Sequence, residues 1–425
     1  MMDIAMNDFT PRIMGCTLAF CLMMNAHIAL SLSPYEVPDR ELILFPGSDR
    51  TLCFAVAPSG IYGIESQGIC RVHEGPISLA PSPLYSQKRG VIAWLSVTDK
   101  NCIEIVVYDL AAGKAVCRKQ VSEIPSAWTW NADVSRIAMA TLGRQISEFD
   151  IPTGNITSGV PGDIGQITDL SYSPSTEWLL VSTKTTTRLM ASLEPAKQFE
   201  MWLEGSSECF WLDESHIVCI TGSDEPDSFV DIREIEYSDS SGPKWKGLAR
   251  FQQRKPIEGL QRILQAGTPG SFRKLEISPT GNRIAAGFEV RSPRDCFPED
   301  AKAFTTWQAC FADMKPVSHM EPDTDTWPQF AWSPDGARYA VVLERIHSKP
   351  PFHSSEIDPA AIHDFIIIVP EEIQPYSPRE EDIRNPLYIS ADPIKGICWS
   401  SNGSSICFYI PFEGGSKIYR LPVGN

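Results

Sequence analysis

One stretch near the C-terminus decides the fold, and it reads Phe330-Ala331-Trp332-Ser333-Pro334-Asp335-Gly336-Ala337-Arg338-Tyr339-Ala340-Val341-Val342. An apolar run that ends in an aromatic residue leads into a Ser-Pro-Asp-Gly turn and a second apolar run. Proline presets the first central position of a type I turn, aspartate suits the second, and glycine accepts the left-handed conformation that follows. The stretch therefore predicts two antiparallel strands joined by a hairpin with a bulge.

The same pattern recurs along the chain. Related copies occupy residues 54–64, 128–139, 170–181, 209–220, 275–286 and 397–408, and a strand without the turn lies at residues 91–97. Together with the quoted stretch they make eight candidate units, and the first two depart most from the pattern. Self-similarity of this kind is typical of repeat architectures.

A second hairpin follows several of these units. Residues 103–116 and 146–156 each hold two apolar strands joined by a turn that begins with aspartate and ends with glycine. Two hairpins in succession predict a four-stranded sheet, and stacking such sheets around an axis covers the faces that one sheet leaves open. We expect the ring to close by pairing of residues 41–45 with the last hairpin, residues 406–410 and 417–422.

The Trp-Ser-Pro-Asp-Gly turn followed by an apolar strand resembles the repeats of TolB-like and WD40-like propellers, and the likeness covers most of residues 41–423. The Gly-His and Trp-Asp dipeptides of strict WD40 repeats are missing, which favours the TolB-like side. The resemblance implies an all-β chain with a single β-propeller at residues 33–425, built from seven or eight four-stranded blades. A tandem of β-sandwiches or a β-solenoid is the alternative, but neither predicts the recurring turn together with an outer hairpin.

Residues 13–32 form the one long apolar run without a formal charge. Arg12 precedes the run, and Ala29 and Ser31 offer a small-residue cleavage site, so residues 1–32 are predicted to be a signal peptide or an N-terminal membrane anchor. Asp3 and Asp8 count against a signal peptide, and a misassigned start or a buried segment stays open. The prediction places the protein in the periplasm or outside the cell, with membrane contact only through an uncleaved segment.

The composition is that of a globular protein, with 43% apolar and 21% charged residues among 425. Since 53 acidic residues outnumber 37 basic ones, the net charge of −16 repels phosphate backbones. Nucleic acid is therefore not expected as a partner. The acidity is explained by solubility alone, and we expect a monomer.

The chain has neither a Gly-x-Ser-x-Gly nucleophile elbow nor a Gly-rich phosphate loop. Two groups of polar residues suit metals in kind but not in spacing, and solvated loops explain both better. The first group is His347, His353, Asp358, His363 and Asp364, and the second is Glu321, Asp323 and Asp325. No metal or cofactor is therefore predicted.

Ten cysteines remain beyond residue 32. Cys398 and Cys407 flank the turn at Ser401-Asn402-Gly403, so they are expected to face each other across a hairpin, either as a disulfide or as two reduced thiols. Three insertions, at residues 291–302, 346–364 and 371–386, are candidate contact surfaces because loops on a rigid scaffold often carry binding. Neutral decoration explains these loops equally well.

The sequence assigns no residue a catalytic role. It favours a binding or interaction module for a protein or small ligand on one face of the disc. The alternative is a propeller enzyme of the lyase or lactonase type, with a metal or carboxylate site in the central channel. The enzyme predicts several inward His, Asp or Glu side chains, whereas the module predicts an apolar or aromatic patch on a rim.

Overall fold

The computed structural model describes residues 34–47, 51–97, 102–141, 145–161, 165–191, 201–204, 206–221, 229–236, 244–251, 270–280, 283–291, 302–310, 316–320, 329–344, 364–369 and 387–423. Within these ranges the regular elements are all β-strands, which confirms the all-β prediction. The described residues include no helix of the length and apolarity that crossing a bilayer requires. Residues 1–32, the predicted export segment, lie outside them.

The strands form four-stranded antiparallel sheets, which we number in chain order. Sheet I holds β2 (Ile43–Pro46), β3 (Thr51–Ala57), β4 (Gly60–Glu65) and β5 (Ile69–Glu74). Sheet II holds β6 (Leu84–Ser86), β7 (Val91–Val97), β8 (Ile103–Asp109) and β9 (Lys114–Val121). Sheet III holds β10 (Pro125–Trp130), β11 (Arg136–Thr141), β12 (Gln145–Asp150) and β13 (Ile156–Pro161). Sheet IV holds β14 (Ile167–Tyr172), β15 (Trp178–Thr183), β16 (Thr186–Ala191) and β17 (Met201–Glu204).

The second half of the chain repeats the arrangement. Sheet V holds β18 (Ser206–Trp211), β19 (His216–Thr221), β20 (Phe229–Glu236) and β21 (Lys244–Phe251). Sheet VI holds β22 (Gly270–Ile277), β23 (Arg283–Arg291), β24 (Lys302–Cys310) and β25 (Pro316–Met320). Sheet VII holds β26 (Gln329–Trp332), β27 (Tyr339–Glu344), β28 (Asp364–Val369) and β29 (Tyr388–Ser390). Sheet VIII holds β30 (Lys395–Trp399), β31 (Ser405–Phe412), β32 (Gly415–Pro422) and, at its outer edge, β1 (Tyr35–Val37).

A buried polar side chain holds the turn between the first two strands of a sheet. In residues 330–342 the Ser333 hydroxyl accepts a hydrogen bond from the Arg338 N–H at 2.9 Å, and Gly336 takes a positive φ of 68°. A polar group can be buried at this position because its hydrogen bonds replace those lost to water. The equivalent residues are almost fully buried in five sheets, namely Asn131, Ser173, Ser278, Ser333 and Ser400.

The second predicted hairpin is confirmed in sheets II and III, where it joins the third and fourth strands. The carboxylates of Asp109 and Asp150 accept hydrogen bonds from the N–H groups of Ala112 and Thr153, at 2.8 and 2.9 Å. A glycine at positive φ ends each turn. The aspartate and the glycine thus explain why the chain reverses here.

Two details of the prediction are wrong. Residues 41–45 do not pair with the last hairpin, because Ile43–Pro46 pairs with β3 in sheet I, and the strand that joins β32 is Tyr35–Val37. The turn within residues 54–64 joins the second and third strands of sheet I rather than the first and second. In sheets I and II the first strand is only four and three residues long, too short to show a pattern in the sequence.

The cores lie between the sheets. Each of the main apolar clusters contains residues of two successive sheets, as in the cluster that unites Leu95 of sheet II with Ile137 of sheet III. Residues of sheets VIII and I share one cluster, in which Tyr409 and Ile418 meet Ile64. Because both faces of a sheet are covered in this way, the middle strands are apolar on both sides.

Indole groups add polar links between successive sheets. Trp211 of sheet V donates to the carbonyl of Ser171 in sheet IV at 3.1 Å, and Trp399 of sheet VIII donates to the carbonyl of Ala331 in sheet VII at 2.8 Å. Trp399 is 1% exposed, so this hydrogen bond is made away from water. Such a bond fixes how one first strand sits against the next.

Candidate functional site

The first strands of successive sheets lie beside one another, as β10 and β14 do and as β26 and β30 do. Several of them carry a bulge near the start, a position where one extra residue bends the strand and re-aims its side chains. The bulged residues are Ser126, Thr168, Ser207, Arg273 and Gly396.

The bulge joins neighbouring sheets. The Ser126 hydroxyl lies 3.2 Å from the carbonyl oxygens of both Ala140, in its own sheet, and Ile167, in the next one. In sheet VIII the N–H of Gly396 donates to the side-chain carbonyl of Gln329 in sheet VII. These contacts hold the residues that follow the bulge beside the first strand of the neighbouring sheet.

Asp169 follows the bulge of sheet IV. Burial raises the pKa of its carboxyl group to about 6, although the N–H of Leu170 donates to it and opposes the shift. Among the described aspartates whose pKa is clearly displaced, this is the one displaced upward. A carboxyl group of this pKa exchanges a proton near neutral pH, as a general acid or base must.

Most of the His, Asp and Glu residues that the sequence analysis compared with metal ligands lie outside the described residues. Asp364 begins β28, and His347, His353, Asp358, His363, Glu321, Asp323 and Asp325 lie outside the described residues, as do the interiors of the three long insertions. Within the described ranges, no three His, Cys, Asp or Glu residues converge as metal ligands would.

A row of apolar side chains crosses the end of sheet II. Val97 is the direct cross-strand partner of Ile103, and Ile103 is the partner of Val121. Direct partners project from the same face of a sheet, so the three side chains stand side by side. Ile124 follows in the short connection to β10, and we call these four residues the apolar rim.

The apolar rim is open to solvent where the sheet ends. Ile103 and Val121 pack against the cluster shared with sheet III, whereas Val97 and Ile124 are 40% and 45% exposed. Further from this end the same face is fully covered, since Leu95 and Ile105 have no exposed surface. The rim is therefore the uncovered end of a core that continues into the molecule.

Within the part of the chain that the structure describes, exposed large apolar side chains are concentrated here. The described residues include four of them, and all four lie between residues 69 and 124: Ile69, Val97, Val116 and Ile124. Val116 is the most exposed at 55%, but it lies near the start of β9, away from the rim at the end of that strand. Scattered apolar residues need no explanation, whereas an aligned row at one end of a sheet is a candidate contact surface.

The sequence predicted an apolar patch on a rim without naming its residues. Each residue of the row lies at the end of a strand whose other apolar residues continue into the core. The composition of these strands therefore does not distinguish exposed apolar residues from buried ones. Only the cross-strand register places the three in one row, and register was not determined by the repeat pattern.

No protein-family profile matches the chain. A segment of 257 residues, 60% of the chain, is 25% identical to a subunit of eukaryotic translation initiation factor 3 from Emericella nidulans. A segment of 128 residues, 30% of the chain, is 28% identical to the same subunit from Aspergillus terreus. The matched segments span 28% and 15% of these relatives' own lengths, so the likeness concerns a minor part of each.

Solved structures resemble the chain in fold at low identity. The computationally designed Ika8 protein matches with a TM-score of 0.53 and 9% identity, over 90% of this chain and 97% of its own. The Cps50 (Swd1) β-propeller domain of Myceliophteria thermophila gives 0.47 and 11%, over 80% and 96%. Hydrazine synthase of Kuenenia stuttgartiensis gives 0.47 and 13%, over 79% and 93%. At such identities the likeness concerns the fold alone.

Proposed function

We propose that sheets I to VIII are the blades of one eight-bladed β-propeller, and that this propeller is a protein-interaction module which binds its partner through the apolar rim. The observation that carries the function is the row formed by Val97, Ile103 and Val121, together with the exposed Ile124 three residues after Val121 along the chain. The TolB-like assignment stays a prediction from the Ser-Pro-Asp-Gly turns.

Three features support one ring. Successive sheets share apolar clusters, and the first strands lie side by side. β1 supplies the outer strand of sheet VIII, so the beginning and the end of the described chain meet in one sheet. Joining both ends of a chain within one blade prevents the ring from opening at that blade.

The energetics of the rim suit a modest but specific contact. Covering an exposed valine or isoleucine contributes up to about 1–2 kcal/mol, because roughly half of each side chain is already buried. The two exposed residues of the rim, Val97 and Ile124, suit an apolar segment of a partner protein. Both curated relatives are named as a subunit of a larger factor, which agrees with a role in contacting other proteins.

Photo-cross-linking in the native host tests the rim. A photoreactive amino acid at position 124 is expected to capture a defined protein, and Val97→Asp in the same chain is expected to abolish the capture, because the aspartate places a charge in the row. A photoreactive residue at position 69 serves as the control, since Ile69 is also exposed but lies outside the rim. Equal capture of the same protein at positions 69 and 124, or capture that survives Val97→Asp, would exclude the rim as the binding surface.

The proposal includes export, with residues 1–32 acting as a cleaved signal peptide or an anchor and the propeller lying in the periplasm or outside the cell. The apolar run at residues 13–32 supports it. The intact mass of the protein recovered from the host tests export. Loss of about the first thirty residues indicates cleavage. A full-length soluble protein in the cytoplasm contradicts export.

Asp169 supports a second candidate function, an enzyme of the lyase or lactonase type with its site where the first strands meet. Its raised pKa gives it the proton-transfer chemistry that such reactions need. Turnover of a lactone or of an acidic polysaccharide that disappears in Asp169→Asn would support the enzyme. Turnover that Asp169→Asn leaves unchanged would remove Asp169 from the reaction.

A further inference from the structure

Three buried cysteines meet where sheet VIII packs against sheet I. Cys398 on β30 and Cys407 on β31 are direct cross-strand partners, and Cys53 comes from β3. All three belong to the apolar cluster that joins the two sheets, with exposures of 4%, 0% and 0%. They are present as free thiols.

The geometry of Cys398 and Cys407 suits a disulfide. Cβ atoms of direct antiparallel partners are about 4.5–5.5 Å apart and a disulfide spans about 3.5–4.5 Å, so a closing movement of about 1 Å is enough to join the two sulfurs. The two thiols already hydrogen-bond to each other, and Cys53 hydrogen-bonds to both. The cluster therefore holds a preassembled pair and a third thiol in contact with it.

The charges around the cluster single out Cys407. It accepts hydrogen bonds from Cys398 and Cys53, and Arg420 is its direct partner on β32. These contacts hold the pKa of Cys407 below its usual range despite burial, whereas the pKa of Cys398 and of Cys53 is raised. Because the thiolate is the reactive form of cysteine, Cys407 is the nucleophile of the cluster.

We propose that Cys407 and Cys398 are an oxidation site at which hydrogen peroxide forms a disulfide across the β30–β31 hairpin. The Cys407 thiolate attacks one peroxide oxygen, the O–O bond breaks, and hydroxide leaves and takes up a proton to become water. Cys407 is then a sulfenic acid. The Cys398 sulfur attacks the sulfur of Cys407, the S–O bond breaks, and a second water leaves with the Cys398 proton.

In total, two thiols and one peroxide give one disulfide and two waters. Peroxide is uncharged and not much larger than water, so local opening of the hairpin is enough to admit it. Cys53 is a positioning residue, since its thiol donates to Cys407 and takes no part in the bond that forms.

The chain contains a matched internal control. Cys209 and Cys219 are likewise direct partners on the first two strands of sheet V, both fully buried and in hydrogen-bond contact. Within the described residues, no third thiol belongs to their apolar cluster, and burial raises the pKa of Cys219. If cross-strand pairing alone determined oxidation, the two pairs would react alike.

Peptide mapping separates the pairs. The folded full chain is treated with increasing hydrogen peroxide, quenched, denatured, alkylated and digested with trypsin. Residues 396–417 contain Cys398 and Cys407 on one peptide, and residues 198–233 contain Cys209 and Cys219 on another. Residues 51–71 contain Cys53 together with Cys70, so fragmentation of the peptide assigns the cysteine that has reacted. An intrapeptide disulfide appears as a peptide two hydrogen atoms lighter that carries no alkyl groups.

We expect the disulfide in residues 396–417 at a lower peroxide dose than in residues 198–233, because a lowered pKa increases the fraction of Cys407 that is thiolate. Cys53→Ala should raise that dose, and Cys53→Ser should restore it in part because serine keeps a donor. Equal doses for the two pairs would overturn the proposal, as would a disulfide that joins Cys53 to Cys398 or Cys407 as the first product.

Discussion

The turn between the first two strands of a sheet can be tested by two opposite substitutions. Equivalent positions of this turn hold glycine in one sheet and a β-branched residue in another. Gly336 in sheet VII and Thr176 in sheet IV both have φ of 68°. A left-handed conformation costs a residue with a side chain roughly 1–2 kcal/mol. Thr176 therefore carries strain that Gly336 avoids.

Thr176→Gly should raise the free energy of unfolding, and Gly336→Ala should lower it. The first change releases about 1–2 kcal/mol of strain and costs about 0.5–1 kcal/mol in chain entropy, a net gain of roughly 0.5–1 kcal/mol. The second change introduces the strain and places a Cβ atom 2.7 Å from the Thr280 hydroxyl of sheet VI. Because that side chain must move as well, we expect a loss of about 2 kcal/mol.

Urea unfolding followed by tryptophan fluorescence measures both changes as opposite shifts of the midpoint at constant slope. The control is Gly113→Ala at the outer hairpin turn of sheet II, where φ is 63° and only the Tyr108 hydroxyl comes within 4.0 Å of the new Cβ atom. Gly113→Ala should lower the free energy of unfolding by the cost of the left-handed conformation alone, because no clash is introduced. Destabilisation by Thr176→Gly would refute the reasoning, since it would mean that the threonine side chain stabilises this turn.

Three further predictions concern single residues. Ser400→Ala leaves the N–H of Ser405 without its 3.0 Å acceptor in a buried turn and should cost about 1–3 kcal/mol in urea unfolding. Trp399→Phe removes the hydrogen bond to Ala331 between sheets VII and VIII and should cost about 1–2 kcal/mol, with faster amide exchange in β26. The pKa of Asp169 is raised from 3.8 to about 6, so the unfolded chain loses its proton first as pH rises through this range. The free energy of unfolding should fall by up to about 3 kcal/mol over that range and level off above it, and Asp169→Asn should remove this fall.

The repeating hairpins could be predicted because their chemistry is local. Ser333, Pro334, Asp335 and Gly336 each act on the turn in which they lie, and Asp150 does so in an outer turn. The degenerate copy at residues 170–181 follows the same pattern, although its turn reaches the same φ without glycine. Local interactions of this kind leave a pattern that can be read from a few adjacent residues.

The parts that sequence did not predict depend on contacts between distant residues. Tyr35–Val37 joins β32 because Val37 fits the cluster between sheets VIII and I, yet as a three-residue strand it has no period to recognise. Asp169 gains its raised pKa from burial that only the packed sheets provide. The apolar rim likewise follows from strand register rather than from composition.

The junction between sheets VIII and I connects these observations. It contains the strand that brings the two ends of the described chain together, and it also contains the three thiols. A disulfide between Cys398 and Cys407 would tie β30 to β31 within sheet VIII and leave the cluster shared with sheet I in place. Oxidation should therefore stiffen one sheet without separating sheets VIII and I. Slower amide exchange is expected in β30 and β31 of the oxidised protein, while exchange in β3 stays unchanged.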